Sequence, residues 1–192
     1  MKLYGEKELV LFHGTGERSI EEFRIIPRED NISDFGAGVY FTSNYDQAKE
    51  WSCKHKDKGA VYGIDIDLSL LMGKSLDKED ELFYYALYLN RIGLNEIADD
   101  CLTEISNMDY LYGRMLYDTR HFIPKAKMFN EGMCSLEIFK MLTYPMLFNN
   151  DYNQYCFRTE KAIQLVNKSI ITKTLTIKNK GKIIELDFKS SK

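Results

Sequence analysis

The chain has 192 residues and a formal net charge of −3, which suits one domain, and its hydrophobic content of 44% is enough for a packed core. Mild acidity argues against a general binder of the phosphate backbone, which needs clustered Lys and Arg, but leaves open a nucleic acid bound at one local site. The four cysteines have neither zinc-site spacing nor the pattern of a disulfide framework. We therefore expect reduced, buried thiols and no metal.

The N-terminus predicts a protein that is cytoplasmic where it is made. Residues 1–7 lack the apolar core of a signal peptide, and no apolar run is long enough to span a bilayer. We therefore expect no membrane association. Export by a route without a cleaved signal, as for an effector delivered into another cell, stays open.

The first third of the chain predicts strands and helices in alternation. Three strands are predicted, the first of them central because it is continuously apolar and the last half-buried because it alternates: residues 8–13, 39–42 and 60–67. A Ser-x-x-Glu capping box predicts a short helix over 19–23. Asn44 or Asp46 can cap a second helix, which we expect to extend to about Lys56.

From about Asp77 the apolar residues repeat at helical spacing. This predicts a helical insertion, about 77–150, within a single domain spanning 1–192. Its role stays open between a lid, a platform for an acceptor and extra core. The remaining chain predicts a strand, a capped helical turn and a hairpin, over 154–157, 159–163 and 169–188.

Three separated segments carry the motifs of the chain: Leu11-Phe12-His13-Gly14-Thr15, Phe35-Gly36-Ala37-Gly38-Val39-Tyr40-Phe41 and Tyr152-Asn153-Gln154-Tyr155-Cys156-Phe157. Alone, the glycine run indicates an ordinary tight turn into a buried strand. Together, the segments resemble the ADP-ribosyltransferase superfamily, in particular its branch of poly(ADP-ribose) polymerases and diphtheria-type toxins. They are also similar, over about residues 9–165, to a small bacterial domain family of unknown function in that clan.

The resemblance implies an α+β fold with a split mixed and antiparallel β-sheet core, and NAD+ as the substrate. It implies that His13 hydrogen-bonds the ribose or adenosine side and that the Gly14 backbone pairs with the nicotinamide carboxamide. It also implies that Tyr40 and Trp51 stack on the flat, positively charged nicotinamide ring. Four further residues are expected around NAD+: Thr15, Phe35, Gly38 and Arg114.

The third motif departs from the polymerase pattern, because Gln154 stands where the catalytic glutamate is expected. An amide can hydrogen-bond ribose hydroxyls but offers no carboxylate to stabilise an oxocarbenium-like state or to act as a base. Chain elongation is therefore not expected. Glu160 could supply a carboxylate if its turn folds back, although a solvated first-turn residue is the favoured reading. Arg114 and Asp118 fit either a position facing the pocket, where the guanidinium can contact the pyrophosphate, or ion pairs within the helical block.

The leading hypothesis is a mono-ADP-ribosyltransferase that breaks the nicotinamide–ribose bond and transfers ADP-ribose to a macromolecule. Mild acidity favours a protein acceptor over a nucleic acid, and relatives of this kind serve as toxins, effectors or defence proteins. Two alternatives stay open. One is an NAD+ glycohydrolase, which uses water as the acceptor. The other is a non-catalytic NAD+-binding or interaction module, which Gln154 favours.

Overall fold

The computed structural model describes residues 9–25, 33–77, 79–92, 99–116, 119–147 and 152–186, without the side chains of 92 and 99–102. Within these ranges, eight strands form two four-stranded sheets, in the orders β1-β3-β7-β8 and β2-β6-β5-β4. All neighbours are antiparallel except β4 and β5. The strands are β1 Leu9–Thr15, β2 Val39–Phe41, β3 Lys58–Ile66, β4 Gly73–Leu76, β5 Tyr110–Arg114, β6 Asn153–Phe157, β7 Ile170–Asn179 and β8 Lys182–Leu186.

Six α-helices accompany the sheets in the same ranges, which confirms the α+β class. They are α1 Tyr45–Ser52, α2 Glu81–Ile92, α3 Asp99–Ser106, α4 Thr119–Asn130, α5 Leu136–Thr143 and α6 Glu160–Lys168. The side chains of Asn44 and Thr159 accept hydrogen bonds from the first turns of α1 and α6, as N-caps do. No helix in the described ranges is both long and apolar enough to cross a membrane.

One pair of residues joins the edges of the two sheets in the described part of the chain. Phe12 in β1 and Thr42 after β2 exchange two backbone hydrogen bonds, of 2.7 and 2.8 Å. Past this pair, no further backbone bond links β1 to β2 among the described residues. The sheet is therefore split, with β1 and β2 on the two sides of the opening.

Two apolar cores pack on the sheets. One lies between the second sheet and helices α2, α4 and α5, and it includes Phe35, Phe83, Phe122 and Phe139. The other fills the space between the two sheets and α6, and it includes Leu11, Phe41, Tyr62 and Phe157. Because β2 and β6 contribute residues to both cores, the second sheet is covered on its two faces.

Four local predictions were wrong. The first strand, β1, lies at the edge of its sheet rather than at its centre. Strand β3 lies between β1 and β7 and is buried on both faces rather than half-buried. Residues 19–23 form no helix, because Phe23 turns into the core and its N–H donates to Asn167 Oδ1 at 2.8 Å. Helix α1 ends at Ser52, earlier than Lys56.

The region 77–150 contains a strand as well as helices. Strand β5 lies between α3 and α4 in sequence, and it pairs parallel with β4 and antiparallel with β6. The residues of β5 are alternately half-buried and buried, as in a strand. In the sequence, however, this short strand lies between longer segments whose apolar residues repeat at helical spacing. The helical region is therefore joined to the second sheet through one of that sheet's own strands.

Candidate functional site

The split between β1 and β2 exposes a stretch of strand edge at Gly14. The N–H and C=O groups of alternate residues in a strand point to the same side, and those of Phe12 point to Thr42. The corresponding groups of Gly14, two residues later, therefore point to the side on which β2 has separated. No backbone hydrogen bond joins Gly14 to β2 within the described residues. A donor and an acceptor thus face the opening.

Helix α1 forms one wall of this opening, and Gly14 lets it lie directly on β1. A Cβ at Gly14 would stand 1.8 Å from the Ala48 carbonyl oxygen and 2.9 Å from the Ser52 nitrogen. Phe12, on the same face of β1, packs edge-on against Tyr45 with ring centroids 5.1 Å apart. The glycine is therefore required by close backbone packing, in addition to any role toward a ligand.

The His13 imidazole is anchored across the split. Its Nδ1 lies 2.7 Å from the Tyr40 carbonyl oxygen, and because a carbonyl only accepts, Nδ1 is the donor. A neutral ring then carries its lone pair on Nε2. The ring contacts Phe23 and Phe41, with centroids 5.0 and 5.4 Å away. These contacts set the orientation of His13, which lies on the opposite face of β1 from Gly14.

Tyr40 lies on the same face as Gly14 and holds the glycine turn. Its Oη accepts from the Phe35 N–H at 3.0 Å and donates to the Gly36 carbonyl at 2.8 Å. Gly36 has a φ of +82°, which glycine adopts without strain. Burial raises the pKa of Tyr40 well above its usual value. The hydroxyl therefore serves the turn, and the half-buried ring is fixed in place.

Trp51 and Lys54 lie at the end of α1. Trp51 follows Ala48 by one helical turn and is 38% exposed. Lys54 Nζ lies 3.5 Å from the centre of the Trp51 ring. Burial lowers the pKa of Lys54, and the positive charge of Arg91 lowers it further.

Gln154 is buried in a network centred on Asp34. Its Nε2 donates to Asp34 Oδ2 at 2.7 Å and to the Arg114 carbonyl at 3.0 Å. Asp34 is itself 2% exposed, and it accepts from Arg91 Nε and from the Leu116 N–H, each at 2.9 Å. We call these residues the Asp34 network: Asp34, Arg91, Leu116 and Gln154. The Gln154 amide is thus held by protein groups.

The Asp34 network explains the glutamine in physical terms. A glutamate at position 154 would bring a second carboxylate to hydrogen-bond distance of Asp34, inside a buried site. The glutamine instead donates a hydrogen bond to that carboxylate. Sequence reasoning assigned no role to Asp34 or Arg91. The sequence features that could have pointed to them are an acidic residue just before the glycine run and a basic residue at the end of α2.

Three residues expected around NAD+ have packing or turn contacts in the structure. Phe35 is fully buried and packs edge-on against Phe83, so it cannot contact a ligand. Gly38 lies against β6, where a Cβ would stand 2.5 Å from Cys156 Sγ. Thr15, half-buried at the end of β1, accepts from the Glu17 N–H at 3.1 Å through Oγ1. Their motif positions reflect packing and turn formation.

Glu160 is also distant from Gln154. It lies exposed in the first turn of α6, beyond the far end of β6. Three residue steps of strand, roughly 10 Å, separate Gln154 from Phe157 alone. Glu160 is therefore a solvated residue in the first turn of α6, as favoured above. Its carboxylate does not take the place of the glutamate that Gln154 replaces.

The remaining predicted residues are placed only in part. Arg114 ends β5 and is half-buried, and its carbonyl accepts a hydrogen bond from Gln154 of the Asp34 network. Asp118 lies outside the described residues. Cys53, Cys134 and Cys156 are free thiols, while the Cys101 side chain is not described. In the described part of the chain, no group of three His, Cys, Asp or Glu residues is arranged to hold a metal.

Comparison with known proteins adds one finding. A family model matches residues 9–167, and the family is described as a protein of unknown function, DUF3990. The match spans both sides of the split and the Asp34 network. No curated protein matches the chain.

Proposed function

The chain belongs to the family of unknown function DUF3990, and from its split sheet we propose that it is an NAD+-dependent mono-ADP-ribosyltransferase. It binds the nicotinamide end of NAD+ at the split and transfers a single ADP-ribose to a macromolecular acceptor, protein rather than nucleic acid. The observation that carries the proposal is the strand edge of Gly14, which offers one N–H and one C=O to the opening.

A primary carboxamide complements this edge. Its oxygen accepts from an N–H and its NH2 group donates to a C=O, as a neighbouring strand does. Nicotinamide carries such a group on a flat ring. The backbone of Gly14 therefore supports recognition of a carboxamide without any charged side chain.

Aromatic side chains support the placement of the ring. Tyr40 lies on the same face as Gly14 and is fixed by its bonds to the glycine turn. Trp51 belongs to α1, the helix that packs on Gly14. The electron-rich faces of these rings attract a positively charged ring. The Lys54 ammonium over Trp51 supports this assignment, since the ring already holds a cation.

The reaction breaks the bond between the ribose C1′ and the nicotinamide nitrogen. Nicotinamide leaves neutral with the bonding electron pair, and a nucleophile of the acceptor forms the new bond to C1′ and loses its proton to solvent. The protein's part is to fix the nicotinamide and the ribose in a reactive geometry. His13, oriented by Tyr40, contributes an imidazole nitrogen toward the ribose.

Binding of NAD+ without turnover is a second candidate function. The Asp34 network favours it, because the Gln154 amide is engaged with Asp34 and with the Arg114 carbonyl. A site without a carboxylate directed at the ribose gives less stabilisation to an oxocarbenium-like state. Transfer of ADP-ribose by this site is then slow, and in the extreme case the site binds NAD+ without any transfer.

The test uses the full chain with NAD+ labelled in its adenine ring, in the presence of a cell lysate. The proposal expects label on protein and an equal amount of free nicotinamide. Trp51→Ala should abolish both signals, whereas Tyr144→Ala, which removes an exposed aromatic ring on a different helix end, should not. Nicotinamide without labelled protein would indicate hydrolysis. Neither signal, with thermal stabilisation by NAD+, would indicate binding alone.

A further inference from the structure

A lysine side chain covers the aromatic ring that the proposed function assigns to nicotinamide. Lys54 Nζ lies 3.5 Å from the Trp51 ring centre, well inside the range of a cation–π contact. The backbone holds the two residues together, because the Lys54 N–H donates to the Trp51 carbonyl at 3.2 Å. The contact is therefore built into the end of α1.

Lys54 is an exposed residue, but its ammonium is partly shielded from water where it lies over the Trp51 ring. Burial removes part of its hydration, and the Arg91 guanidinium adds a like charge nearby; both lower the pKa of Lys54. No carboxylate is paired with Lys54 among the described residues. The Trp51 ring is thus the group that stabilises the ammonium in place.

This inference rests on the proposed function. We propose that, in the ligand-free protein, Lys54 occupies the position on Trp51 that the positively charged nicotinamide ring takes on binding. Binding then exchanges one cation for another on the same aromatic face. The displaced ammonium returns to water, and its release from Trp51 is part of the free energy that NAD+ must supply. Lys54 therefore sets the affinity of the site for flat aromatic cations.

The test compares Lys54→Met with the wild-type chain by titration calorimetry, using NAD+ and ADP-ribose in turn. Methionine keeps an unbranched side chain but removes the competing charge. We expect NAD+ to bind the variant roughly two- to fivefold more tightly, the range that a cation–π contact at an exposed site corresponds to. ADP-ribose, which lacks nicotinamide, should bind both proteins equally.

A matched control is Lys56→Met. Lys56 lies two residues further along and pairs with Glu17 at the surface, at 2.6 Å. Its replacement should leave the affinities for both ligands unchanged. Equal NAD+ affinity of Lys54→Met and the wild type would overturn the inference. So would weaker binding of both ligands, which would make Lys54 a contact for the diphosphate.

A second titration separates this inference from the proposed function. Trp51 is the single tryptophan of the chain, so intrinsic fluorescence reports on this ring alone. The 1-methylnicotinamide cation should quench it at several-fold lower concentration in Lys54→Met than in the wild type. Absence of NAD+ and ADP-ribose binding in the wild type would refute the proposed function. Equal quenching in both proteins would refute the exchange, whichever way the first result falls.

Discussion

The split at Gly14 and the Asp34 network are neighbouring parts of the molecule with opposite character. At the split, a strand edge presents an N–H and a C=O to an opening, with an exposed indole on the adjoining helix. In the Asp34 network, a buried carboxylate receives hydrogen bonds from a guanidinium, an amide and a backbone N–H. The comparison shows that one set of motifs serves two purposes. Part of it leaves a strand edge unpaired at the opening, and part of it forms a buried hydrogen-bond network.

The largest expected effect comes from breaking the Asp34 network. Asp34→Ala leaves the Arg91 guanidinium, whose side chain is 9% exposed, without its counter-charge. Removing one partner of a buried ion pair costs about 3–5 kcal/mol. Urea unfolding should show this loss. The double variant Asp34→Ala, Arg91→Met should recover part of it, and a loss below about 1 kcal/mol for Asp34→Ala would contradict the role of the network.

Gly14→Ala should also reduce stability, by about 1–3 kcal/mol, because the new Cβ collides with the backbone of α1. The matched control is Gly16→Ala, two residues along, where a Cβ would stand 3.2 Å from the flexible end of Lys56. Thermal unfolding of the two variants measures the difference. Similar melting temperatures would show that α1 can move away from β1 at little cost.

Gln154→Glu should destabilise the fold by about 1–3 kcal/mol at neutral pH, since it replaces a donor to Asp34 by a second acceptor. The folded variant relieves the repulsion by binding a proton between the two carboxyls. It then holds more protons than the unfolded chain, so its deficit relative to wild type shrinks as the pH falls. Urea unfolding from pH 7 to pH 5 checks the direction. A pH-independent deficit would mean that the two side chains separate in the variant.

The same variant sharpens the assignment of function. If position 154 is catalytic, a glutamate there should retain or raise NAD+ hydrolysis. The Asp34 network changes that expectation, because the new carboxylate faces Asp34 rather than a ribose. We now expect Gln154→Glu to release nicotinamide no faster than the wild type. Faster release would place position 154 at the reacting bond.

The smallest effect on stability is expected for Trp51→Ala, less than about 1 kcal/mol, because the ring is 38% exposed. The same change should abolish NAD+ binding under the proposed function. Thermal unfolding and calorimetry on one preparation give both values. A large loss of stability would instead assign Trp51 a structural role.

Local features of the fold could be predicted from the sequence. The Asn44 and Thr159 caps and the final hairpin depend on residues close together in the chain, and each is present. The edge position of β1 and the strand β5 depend on pairing between distant segments. An apolar run does not reveal how many neighbours its strand has, and a five-residue strand between helices gives little periodic signal.

The site divides in the same way. The motif segments led to His13, Gly14 and Tyr40, which the fold brings to the two sides of one split. They could not separate these from Phe35 and Gly38, because a glycine or aromatic residue packed against another strand or helix looks the same in sequence as one at an opening. Asp34 was missed for the opposite reason, since its partners lie 57 to 120 residues away.

The strand edge at Gly14 also has a consequence for discrimination between related molecules. An adjacent donor and acceptor complement an amide, which carries the opposite pair. A carboxylate offers acceptors only, so it would leave the Gly14 carbonyl facing a negative charge. A site built on this edge distinguishes nicotinamide from nicotinate by an unmatched acceptor, a kind of mismatch that costs about 1–3 kcal/mol when buried. The peptide bond itself, rather than a side chain open to replacement, would then set this selectivity.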